Sequence, residues 1–133
     1  GYDVKVQLYT VPGQTKYNST RKMVLKNVDG IVFVADSLEI RRKANMLSLK
    51  NLQDNLKEQN LSIFKMPLVI QYNKRDLLEQ GIPIMTVEQM ENELNGKLKC
   101  PSFEASALKG SGVAETLKKC LSLTLKKIHQ ELS

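Results

Sequence analysis

The residues best suited to chemistry lie at the end of the stretch Met66 to Asp76, MPLVIQYNKRD, where an apolar run closes on Asn73-Lys74-Arg75-Asp76. A carboxylate at Asp76 can accept two adjacent hydrogen bonds, which matches the ring N–H and exocyclic amine on one edge of guanine; adenine offers no such pair of donors there. Lys74 can lay its methylene stem over a base. Asn73 can bond the backbone of neighbouring loops and hold the site together. Met in isolation, N-K-x-D is an ordinary polar loop with a helix N-cap, and only its context lifts it above that reading.

The elements that must position these residues follow from the pattern around them. Pro67, Leu68, Val69, Ile70 and Tyr72 form a short, nearly continuous apolar segment, as expected of a parallel strand covered on both faces. In such sheets ligands bind beyond the carboxyl ends of the strands, where Asn73, Lys74 and Asp76 stand. Val4 to Thr10 alternates apolar and polar and predicts a strand; Ile31 to Ala35 predicts a buried parallel strand; Ser102 to Ser106 predicts a short final one. Between them fall helical patterns. Thr15 to Asn27 has Tyr17, Val24 and Leu25 inward and Arg21, Lys22 and Lys26 outward, and Glu39 to about Asn60 carries Leu49, Leu52 and Leu56 at helical spacing. A helix capped at Thr86 ends by Gly96, and the last, about Val113 to Leu132, aligns Val113, Leu117, Leu121, Leu125, Ile128 and Leu132. Alternation of strand and helix predicts right-handed crossovers and a parallel sheet with helices on both faces.

Composition narrows the class. With 133 residues, 41% of them hydrophobic, the chain is one domain at most and is not a disordered tail. No apolar run approaches the roughly 18 to 20 residues that span a membrane. Two cysteines and one histidine supply neither a disulfide framework nor zinc spacing, so a cytoplasmic protein with free thiols is expected. A net charge of +6 raises the question of a polyanionic partner. The charge is spread in short helical clusters, however, and only 5% of residues are aromatic, so solvated helix faces are favoured over nucleic-acid binding.

Three motifs stand at or just beyond strand ends: Thr10-Val11-Pro12-Gly13-Gln14, Asn73-Lys74-Arg75-Asp76 and Glu104-Ala105-Ser106-Ala107-Leu108. Together they resemble the Ras superfamily of small GTPases. LYTVPGQ, VDGIVFVADS and VIQYNKRDL resemble more closely the bacterial gliding-motility and polarity GTPases of the MglA family, and the likeness runs along nearly the whole chain. The resemblance implies an α/β, parallel-sheet, three-layer P-loop NTPase (small G protein) fold. It further implies GTP/GDP and Mg²⁺ as ligands, a Roadblock/LC7-type GTPase-activating partner, and a bacterial, cytoplasmic switch recruited to a cell pole.

By position, Gly13 resembles the glycine whose N–H meets the γ-phosphate, and Gln14 the glutamine that positions the attacking water. Thr10 stands where an acidic residue is usual and begins a switch segment with Val11 and Pro12. Asn73, Lys74 and Asp76 are implied to recognise guanine, with Ser106 and Ala107 in the final base loop and the Ala107 N–H meeting the guanine oxygen. Leu108 replaces the lysine often found next. No G-x-x-x-x-G-K-[S/T] occurs among the 133 residues. The expectation is therefore a single partial G domain, N-terminally incomplete, retaining no metal site and inactive alone, with two unpaired inner strand edges that a strand from a second copy in a homo-oligomer could cover. The alternative is a degenerate G domain that acts only as an interaction protein.

Overall fold

The structure, a computed structural model, describes residues 5–10 and 18–132. Its centre is a three-stranded parallel sheet in the order β1 (Ile31–Asp36), β2 (Leu68–Asn73), β3 (Ser102–Glu104). β1 and β2 run in register from Ile31 opposite Leu68 to Asp36 opposite Asn73, so both strands deliver their last residues to the same end of the sheet. β2 is paired on both sides, and its first five residues are all buried.

Helices lie on both faces. On one side, α1 (Asn18–Leu25), α2 (Arg42–Glu58) and the short α3 (Val87–Met90) bring Leu25, Leu52, Leu56 and Met90 into a single cluster. There they meet Ile31, Phe33, Ile70 and Tyr72, the alternate residues of β1 and β2. The intervening Val69 and Gln71 face α4 (Val113–Leu132), where Gln71 Nε2 donates to Thr116 Oγ1 at 3.0 Å. The layers are thus helix, sheet and helix, as the alternating pattern predicts and as the P-loop NTPase fold of small G proteins has them.

Local rules account for several element ends. Thr86 Oγ1 accepts the Gln89 N–H while the Gln89 side chain accepts the Thr86 N–H, a reciprocal box that starts α3. α3 passes into a π-helical turn at Glu91–Asn95. A 3-10 turn at Glu39–Arg41 leads into α2, and another at Arg75–Gln80 follows the N-K-x-D segment.

Four expectations need correction. Residues 5–10 carry no strand and are exposed, because a strand persists only where another strand takes its backbone N–H and C=O groups, and no described strand lies beside them. Arg21, assigned outward, is buried. The final strand stops at Glu104; Ser106 instead forms an isolated antiparallel bridge with Ser111 that closes the following loop. On α4, Leu125 and Leu132 are exposed, whereas Thr116 and Cys120 are buried. α4 turns its small side chains to the sheet because it crosses Gly30 closely: a Cβ there would lie 2.1 Å from Thr124 Oγ1. A leucine at that crossing would not fit.

Candidate functional site

At the carboxyl end of the sheet, the loops after β2 and β3 are tied into one unit. The Ser106 hydroxyl donates to Asp76 Oδ1 at 2.9 Å and accepts the Lys109 N–H at 3.2 Å, which fixes the direction of its proton. Both Asp76 and Ser106 are buried. The Ala107 N–H donates to Asn73 Oδ1 at 2.9 Å. Backbone bonds add to these: Arg75 N–H to the Ala105 carbonyl, and Ala105 N–H to the Tyr72 carbonyl. Four of the residues singled out from sequence, Asn73, Asp76, Ser106 and Ala107, are therefore joined by direct hydrogen bonds across two loops.

Asn73 does what its side chain was expected to do, bonding the backbone of a neighbouring loop. Ala107 differs from the expectation in one respect: its N–H is engaged by the Asn73 amide, so a base oxygen at that position must share or replace this bond. Lys74 adopts φ 68° and ψ 28°, the left-handed region, and its ammonium reaches Asp36 Oδ2 at 2.8 Å. Thr10 is exposed in the irregular segment 5–10. Val11, Pro12, Gly13 and Gln14 lie outside the described residues.

Sequence reasoning passed over three contributors. Asp36 lies one residue beyond the strand expected over Ile31 to Ala35; in the structure it ends β1 and meets Lys74 across the β1–β2 register. Arg75, the variable position of N-K-x-D, donates from Nη1 to the Met85 carbonyl at 2.7 Å and places Nε 3.3 Å from Glu104. Lys109 pairs with Glu79, linking the final loop to the 3-10 turn after β2. Arg75 and Lys109 are unmarked basic residues in sequence, and only the folded loops reveal their partners.

The chemistry available is recognition of a flat heterocycle with two adjacent donors, with Asp76 at its edge. A cavity of about 230 Å³ lined by Glu39, Arg42, Met85, Gln89 and Glu93 includes none of these base-end side chains and is bridged by the Arg42–Glu93 ion pair. Among the described residues no group of three or more His, Cys, Asp or Glu side chains gathers to hold a metal. No described helix is long and apolar enough to cross a membrane.

Sheet order, helix layers and linked carboxyl-end loops define a class, the nucleotide-binding α/β domains whose base loops follow successive parallel strands. Residues 2–124 match the ADP-ribosylation factor family, and the chain belongs to that family, within the Ras superfamily of small GTPases. It is 48% identical over 130 residues to the mutual gliding-motility protein MglA of Myxococcus xanthus, covering 98% of this chain and 64% of MglA. It is 26% identical over 129 residues to the Ras-related protein Rab-27B of Rattus norvegicus, covering 97% of this chain and 56% of that protein. The chain thus spans somewhat less than two thirds of each relative. Membership implies GTP/GDP and Mg²⁺ binding for the family in general.

Proposed function

We propose that this chain carries the guanine-binding half of a GTP/GDP switch of the MglA type, serving gliding motility or cell polarity in a bacterial cytoplasm. The observation that carries this reading is the direct linkage of Asn73, Asp76, Ser106 and Ala107 at the carboxyl end of the sheet. Asp76 accepts the two donors of the guanine edge, with its carboxylate oriented by the Ser106 hydroxyl. The guanine oxygen takes the Ala107 N–H in exchange for Asn73 Oδ1. Gly13 and Gln14 serve the γ-phosphate and the attacking water, and the segment from Val11 to about Arg21 changes with nucleotide state. A GTPase-activating protein of the Roadblock/LC7 type and recruitment to a cell pole belong to the same reading.

Because no G-x-x-x-x-G-K-[S/T] is present in the 133 residues, the purified chain is expected to show no GTP turnover by itself. The base site is tested separately from the phosphates. Titration with GMP, followed by amide NMR shifts, is expected to move Ser106 and Ala107, while AMP at the same concentration leaves them in place. Equal responses to both nucleotides, or none to either in a folded chain, would favour the degenerate interaction domain.

A further inference from the structure

The end of β1 supplies a group that the base motifs do not include. Asp36 is the last residue of β1 and stands in register with Asn73. Its backbone is clamped by the buried Asn45 of α2: the Asp36 N–H donates to Asn45 Oδ1 at 3.1 Å, and Asn45 Nδ2 donates to the Asp36 carbonyl at 2.8 Å. Its carboxylate Oδ1 accepts the Leu38 N–H at 3.0 Å. The remaining oxygen, Oδ2, receives the Lys74 ammonium at 2.8 Å. The acceptor is therefore held by bonds that do not involve the lysine at all.

Lys74 begins from a left-handed backbone, which an L-residue with a Cβ adopts only at a cost. With its Cα just beyond β2 and its ammonium at the end of β1, its stem must cross the gap between neighbouring strands, about 4.8 Å. The outcome is an apolar strip laid over the carboxyl end of the sheet and held at both ends, suited to the flat face of a base. An exposed ion pair gives little stability, so stability alone does not explain a clamped acceptor opposite a strained lysine.

We propose that Asp36 is a positioning residue of the base site, acting through Lys74 to hold its stem as a preformed platform under the guanine ring while Asp76 reads the edge. The inference rests on the guanine-nucleotide reading above. Preorganising one rotamer-rich side chain is worth up to about tenfold in affinity. Platform and edge are separable, since a platform contributes equally to any purine that the edge admits.

The test is a double-mutant cycle on the 133-residue chain with GMP and IMP, read by amide shifts, with thermal unfolding of each variant alongside. Asp36→Ala is expected to weaken both nucleotides by the same factor, up to about tenfold, and to have no further effect in a Lys74→Ala background. Asp36→Asn keeps an acceptor for Leu38 and guards against a folding defect; it is expected to lose affinity without a matching loss of melting temperature. Unchanged GMP affinity in Asp36→Ala, or the same loss whether or not Lys74 is present, would overturn the proposal and leave the guanine reading standing. A folded wild-type chain that does not respond to GMP would overturn both.

Discussion

On the guanine reading proposed above, specificity reduces to one carboxylate, Asp76, and the Ser106 hydroxyl bonded to it. Asp76→Asn replaces two acceptors with one acceptor and one donor, which suits xanthine, whose edge carries a ring N–H beside a carbonyl oxygen. The expected outcome is at least about a tenfold loss of GMP affinity with XMP becoming the better ligand, because an unmatched polar group at a binding edge is penalised heavily. Competition between the two nucleotides measures it directly. Ser106→Ala removes a donor from a buried carboxylate and is expected to lower stability by about 1–3 kcal/mol in urea unfolding. Asn73, Asp76 and Ser106 could be picked from sequence because each sits at a fixed offset from a strand end. Asp36 could not, since its role depends on facing Asn73 across a register that no local pattern encodes.

Elements meet the sheet at places where backbone approaches backbone. Gly112 opens α4 with φ 78°, and a Cβ there would lie 2.2 Å from the Glu104 carbonyl oxygen. Gly112→Ala therefore combines left-handed strain with a backbone clash and is expected to cost about 2–4 kcal/mol, read as a lowered urea midpoint. The π-helical turn Glu91–Asn95 is held by a polar network: Tyr72 donates to Glu91, and Asn95 bonds Glu91 and the backbone of Cys100. Burial pushes the Cys100 thiol up to about 11 and raises the Tyr72 hydroxyl well above its ordinary value, the neighbouring Glu91 adding to both.

Between pH 9 and pH 11 the unfolded chain releases the Cys100 proton while the folded chain keeps it. Stability present below pH 9 is therefore lost as the pH rises, at no more than about 1.4 kcal/mol per pH unit from this group. Cys100→Ala is expected to flatten that slope in unfolding measured across the window. The capping box at Thr86 was readable because its two residues are three apart in sequence. The π turn was not, because its partners come from β2 and from the segment beyond it.

For the molecule as a whole, the sheet sets a gradient of protection. β2 lies between two partners with Val69 and Ile70 fully buried, while β1 has one edge with no described strand beside it and Val34 exposed on the α4 side. Hydrogen exchange is expected to be slowest at Val69 to Tyr72 and faster along β1, since opening free energy follows burial and pairing. The reverse order would show that the stable unit is organised elsewhere. The α/β class was legible because strand and helix patterns alternate along the chain. The missing strand over residues 5–10 was not, because alternation shows which residues suit a ladder and says nothing of whether a partner is there.

Strand order also coincides with chain order, since β1 pairs with β2 and β2 with β3. On a ribosome, β2 and β3 therefore each emerge to find a neighbour already made. The base site has a different history. Asn73 and Asp76 are synthesised before Ser106 and Ala107, so the acceptors of one loop stay without their partners until β3 has docked. On the guanine-nucleotide reading proposed above, such a ligand stabilises the fold through both base loops only from that moment, once β1, β2 and β3 are all in place.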